Sequence, residues 1–200
     1  MNMIPTMNKL TRADLFPLER YSAERAEFRA RVIAHKKKRN IPLGPHISLL
    51  FEDRLTVQYQ IQEMLRIERI FEASGIQEEL DAYNPLIPDG SNLKATMLFE
   101  FPDPGIRAER LSQLGGIEHR LYAEVAGQPR IFAHADEDMD RSNEKKTSAV
   151  HFVRFEFPAA AIAALRDGAA LSLGIEDPRL PERVLVPAES RAELVSDFQT

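Results

Sequence analysis

Two histidines and one glutamate are the residues of this sequence whose types and placement best suit metal chemistry. His134 lies in the strand-like run RIFAHA and His151 in SAVHFVRFEF. If these runs pair antiparallel across the loop between them, both imidazoles fall near one end of the pair, with Phe132 beside His134 and Phe155 and Phe157 beside His151. Glu68 belongs to the helix-like stretch LTVQYQIQEMLRIERIFEAS. At about 100° per residue, Val57, Ile61, Met64, Leu65 and Phe71 share one face with Glu68 in its middle, while Gln62, Arg66 and Arg69 lie opposite. A carboxylate in an apolar stripe is costly unless it is paired, protonated or bound to a metal. Packed on the strand pair, that helix would complete a set of two histidines and one carboxylate. Such a set suits non-haem iron or another divalent metal with open positions, and a divalent metal is therefore the candidate cofactor. A paired core carboxylate and two hydrogen-bonded sheet histidines account for the same residues more simply.

Other charged groups compete for a role. Glu52, Glu100 and Glu156 stand at the ends of strand-like runs with Arg54 and Arg154 at hand. Carboxylates with separated pKa values do acid–base work, and a solvated sheet face explains them at lower cost. The run from His35 through Lys36, Lys37 and Lys38 to Arg39 ends a helix, where positive charge complements the dipole. Together with Lys94 and Arg154 it is also a candidate site for an anion or small molecule. Glu63 and Arg66, on the helix that carries Glu68, are candidate contacts for a protein partner. The loop holding Asp136, Glu137, Asp138 and Asp140 imitates a calcium loop only at its start, because Arg141 stands where glycine is needed and Thr147 where a bidentate glutamate belongs. Nucleophile elbow, phosphate-binding glycine loop, dinucleotide fingerprint and local zinc or di-iron ligand pairs are all missing from the sequence.

The elements that must position these residues read as an α+β fold. A helical arm over 1–45 precedes a strand–helix–helix–strand centre over 46–101, and 102–200 supplies sheet with short helices, all in a single domain with a mainly antiparallel sheet. Thr11 and Asp14 form a capping box for a short helix stopped by Pro17, and Ser22 is the expected N-cap of the next one, whose modest apolar side is Ala26, Phe28, Val32 and Ile33. Asn40 and IPLGP then lead out to the first strand, HISLLFEDR. Strands are expected at LKATMLFEF, HRLYAEVA, RIFAHA, SAVHFVRFEF, ALSLGIE and RVLVP. Helices are expected after Asp103, after Pro158 and after Pro187.

Hydrophobic residues make up 44% and charged residues 28% of the 200 positions, which is ordinary for a globular chain. A formal net charge of −5 argues against nucleic acid as the main partner. The chain has no cysteine, so it holds no cysteine-ligated iron–sulfur cluster and suits a reducing, cytoplasmic setting. No apolar run approaches the length needed for membrane insertion.

At FEDRLTVQYQIQEMLRIERIFE and at LDAYNPLIPDGSNLKATMLFEF the chain resembles the bacterial domain-of-unknown-function family 3501, and the likeness extends from MNKLTRADL to the last helix. That resemblance implies genes beside those for rubrerythrin and a cysteine-rich iron–sulfur oxidoreductase, hence a part in peroxide handling or electron transfer. It supplies no catalytic residues. The expectation is an accessory or binding protein that docks an iron–sulfur oxidoreductase or a rubrerythrin-like protein through residues 52–101 or the basic helix end.

Overall fold

A computed structural model describes residues 9–135 and 147–199. The chain is α+β. Helix α1 (Leu18–Arg39) leads into a hairpin of β1 (Asn40–Leu43) and β2 (Ile47–Phe51). Helices α2 (Arg54–Ile67) and α3 (Ala73–Tyr83) follow, then β3 (Asn92–Phe99), α4 (Pro104–Gln113) and β4 (Leu121–Val125). The chain continues through β5 (Ile131–Phe132), β6 (His134–Ala135), β7 (Val150–Glu156), α5 (Ala159–Arg166), β8 (Leu171–Ile175), β9 (Arg183–Leu185) and α6 (Ala188–Val195).

Among the described residues the strands are antiparallel, as expected, and form two sheets in the orders β1-β2-β3-β7-β6 and β5-β4-β8-β9. Alternation decides which faces meet. Leu93, Ala95, Met97 and Phe99 of β3 and Val153 and Phe155 of β7 project to one side and are buried. They share a core with Leu121, Ala123, Val125, Leu171, Leu173 and Ile175 of the other sheet. The segment 131–135 crosses between the sheets, pairing first with β4 and then with β7. Buried Ala133 lies at the crossing point.

The helices α1 to α3 carry separate cores. Val57, Ile61, Leu65 and Leu80 pack with Leu10 and Ile87, while Tyr21, Phe28 and Val32 form a smaller cluster with Leu55 and Tyr59 at its edge. Among the described residues no helix is long and apolar enough to cross a membrane.

Several boundaries differ from the sequence reading. Ser22 lies within α1, which starts at Leu18 behind Pro17; Tyr21 extends the buried stripe backward, so the helix gains a turn. Ile33 is exposed, and Arg39 takes the last inward position of that stripe instead. Thr11 and Asp14 do cap each other, but around a single 3-10 turn. Residues 40–43 form an edge strand of the sheet, so the helical arm stops at Arg39. Gln62, expected on the solvent side, is fully buried: its amide accepts from Phe16 N at 2.6 Å and donates to Phe16 O at 3.3 Å.

Candidate functional site

Among the described residues, a group of chemically capable side chains gathers where α1 meets α6 and the start of α2. His35 and Arg39 are four residues apart on α1 and so point the same way. Asp53 is the N-cap of α2, its Oδ1 accepting from Thr56 N at 2.9 Å, which leaves Oδ2 turned toward α1. Glu193 on α6 and Asp197 just beyond it are likewise four apart. His35 Nε2 meets Asp53 Oδ2 at 2.5 Å, and Nδ1 lies 3.7 Å from Glu193 Oε1.

Arg39 is fully buried at the base of this group. Its Nε donates to Phe51 O at 3.0 Å, and Nη2 donates to Glu52 O at 3.2 Å and to the Asp197 carboxylate. Its Nη1 stands 3.6 Å from Asp53 and 3.4 Å from Glu193. Burial works against the guanidinium charge, yet Asp197, Asp53 and Glu193 together hold the arginine above its ordinary pKa. Burial pushes Asp197 up to about 6; Arg39 opposes this, while Asp53 and Glu193 add to it. The pair is therefore a buried ion pair with further negative charge around it. Glu52 sits close by in sequence but binds elsewhere, accepting from Thr56 Oγ1 at 2.5 Å and Thr96 Oγ1 at 2.7 Å.

The metal set read from the sequence does not assemble. Glu68 is not in an apolar stripe: α2 ends at Ile67, and Glu68 is its exposed C-cap. The β6–β7 register pairs His134 with Arg154, three positions from His151, and an odd offset puts the two histidines on opposite faces of the sheet. His134 is exposed and His151 is buried. His151 Nε2 lies 3.0 Å from Ser148 O, an acceptor only, so Nε2 carries a proton. The same nitrogen lies 2.7 Å from Thr147 Oγ1, which donates to buried Glu118 at 3.0 Å. The acidic loop Asp136 to Asp140 lies outside the described residues.

The three sheet-end glutamates also separate. Glu52 and Glu156 lie toward the Asn92 end of β3, whereas Glu100 is beside His46 at the other end, about 20 Å away at 3.3 Å per residue. Lys94 and Arg154, by contrast, are brought together as cross-strand partners, and His134 is Arg154's partner on the other side. Lys94 Nζ donates to Pro85 O at 2.8 Å and Ile87 O at 3.1 Å, pinning the turn before β3. Of the basic run, Lys36 lies over the Tyr59 ring, Lys38 pairs with Glu189, and Arg39 is internal, while Lys37 is exposed.

Glu63 is an internal clamp between helices. It accepts from Arg25 through both oxygens, at 2.8 and 2.7 Å, and from Tyr21 Oη at 2.5 Å. Arg25 holds its carboxyl down at about 2 against the effect of burial. Arg66 approaches it only at 3.9 Å and is largely exposed. Beyond Arg66 the chain makes a tight corner. Arg69 is in the left-handed region at φ 55°, and Ile70 N bonds back to Leu65 O at 3.0 Å, the six-to-one bond of a Schellman ending. That turn carries Ile70 onto the α2–α3 core and leaves Ile67 60% and Phe71 65% exposed. Glu68, Glu72 and Glu78 lie exposed in the same segment, and half-buried Glu79 has its pKa raised by burial and by Glu68 and Glu78.

Residues 9–198 match the family described as protein of unknown function (DUF3501). The chain belongs to that family. A crystal structure of a protein of unknown function from Burkholderia pseudomallei K96243 is similar throughout. It is 48% identical, covered over 96% of this chain and 100% of the other, with a TM-score of 0.91. No curated protein matches.

Proposed function

We propose that this protein is an accessory protein of a bacterial redox or peroxide-response system, working by docking rather than by catalysis. The observation that carries the reading is the α2–α3 corner. Ile67 and Phe71, two of the most exposed large apolar side chains among the described residues, flank a left-handed arginine. Burying both against a partner is worth about 1.5–3 kcal/mol each, and an aromatic anchor at a rigid turn is a favourable contact point. The surrounding carboxylates favour a partner whose contact surface is basic at its rim.

The gene neighbours implied by the family resemblance supply the candidates: a rubrerythrin-like protein and an iron–sulfur oxidoreductase, in the cytoplasm. Glu63 supports the corner from inside by fixing α2 to α1; Arg66 and Glu68 lie on its surface. The test is co-purification and calorimetry with each candidate, using wild-type protein and Ile67→Ser/Phe71→Ser. Binding weakened at least about tenfold in the double variant, with unchanged thermal stability, supports the reading. No association with either candidate, or full binding by the double variant, refutes it.

A further inference from the structure

The cluster between α1, α2 and α6 holds more negative charge than its own fixed cation matches. Three carboxylates, Asp53, Glu193 and Asp197, surround one guanidinium. Arg39 commits Nε and Nη2 to Phe51 O, Glu52 O and Asp197. Only Nη1 turns toward Asp53 and Glu193, at distances longer than the roughly 2.7–2.9 Å of a strong charged hydrogen bond. Those two carboxylates each turn an oxygen toward His35 as well, at 2.5 and 3.7 Å.

We propose that His35, Asp53 and Glu193 form a binding site for a divalent first-row transition metal, of the zinc, iron or manganese class. The site is independent of the docking corner. One ligand atom from each residue lies within 4.8 Å of the others. Ligands at about 2.1 Å from a tetrahedral metal are about 3.4 Å apart, so the spacing is already close to what an ion needs. Seating it requires the imidazole to rotate so that one ring nitrogen faces both carboxylates, opening the 2.5 Å contact with Asp53 by about 1 Å. Thr56 N fixes Asp53 through its other oxygen, the kind of outer support that orients a metal ligand. The three side chains are 20%, 17% and 26% exposed, which gives an ion a way in and leaves positions for water. One imidazole with two carboxylates prefers these metals to magnesium or calcium.

The competing arrangement is direct contact of the His35 ring with the same two carboxylates and no ion between them. Calorimetry of the chelator-stripped full chain with zinc chloride, and in parallel with magnesium chloride, separates the two. One zinc per chain is expected, weakened about a hundredfold or more in His35→Ala, His35→Gln and Glu193→Gln and unchanged in His134→Ala. Asp53 is left intact because it caps α2. Folded wild-type protein without saturable zinc binding overturns the proposal whatever the variants do. Zinc binding that survives all three substitutions, or magnesium binding of equal strength, overturns it too.

Discussion

Replacing Arg39 by methionine tests the electrostatic account of the α1–α6 junction, because it keeps the apolar stem and removes the guanidinium. Asp197, held at about 6 in the folded protein, would then take up a proton at neutral pH. Relative to an unfolded carboxyl near 3.9, keeping it neutral at pH 7 costs about 4 kcal/mol, of which the existing shift already accounts for about 3. The added penalty from Asp197 is thus only about 1 kcal/mol. The carbonyls of Phe51 and Glu52 also lose their donors, at about 1–3 kcal/mol each, so the expected loss is about 3–7 kcal/mol. For a chain of this size that lowers Tm by about 6–28 °C.

The pH dependence has a definite sign. The folded pKa of Asp197 is raised, so its contribution is fully present below about 4 and is lost as pH rises through about 6. The deficit of Arg39→Met should therefore shrink by about 2 kcal/mol between pH 7.5 and 5.5, and Asp197→Asn in that background, which removes the whole cost of a neutral carboxyl, should recover about 4–5 kcal/mol at pH 7.5. Urea unfolding followed by circular dichroism at both pH values measures each quantity. A loss below about 1 kcal/mol, or a deficit that grows on acidification, would refute the reasoning.

Two further substitutions test the helical layer. Arg69→Gly relieves a left-handed non-glycine residue at the end of α2 and should stabilise the protein by about 0.5–1 kcal/mol, seen as a higher urea midpoint at unchanged slope; a lower midpoint would mean the arginine side chain contributes more than its backbone costs. Glu63→Gln removes a carboxylate held at about 2 and should cost about 2–3 kcal/mol at pH 7. Because that pKa is depressed, the contribution is present above about 4.5 and lost as pH falls toward 2, so the variant and wild type should converge in acid. Parallel unfolding curves down to pH 3 would contradict this.

The residues that the sequence placed well are those whose position follows from a local rule. Alternation groups Ala95, Met97 and Phe99 on one side of β3 and His151, Val153 and Phe155 on one side of β7, and each group is the buried one. Asp103 and Pro104 open α4 as their types require. Glu68 was misplaced because a helical wheel assumes that the helix continues, and the left-handed Arg69 stops it where no glycine gives warning. The two histidines were misplaced for a different reason. Alternation fixes faces within a strand, but the face that two strands share depends on register, and an odd offset separates His134 from His151. The α1–α6 cluster has the opposite history. His35 with Arg39 and Glu193 with Asp197 are i, i+4 pairs legible in the sequence, yet 154 residues separate Arg39 from Glu193, and nothing local links them. In the sequence Arg39 is the last residue of a basic run that ends a helix, where charge normally faces water. It became the base of the cluster because β1 begins at the next residue, and pairing β1 with β2 draws the end of α1 down against the Phe51 and Glu52 carbonyls. A charge run at a helix end is thus a solvated face only while the chain that follows leaves it in water.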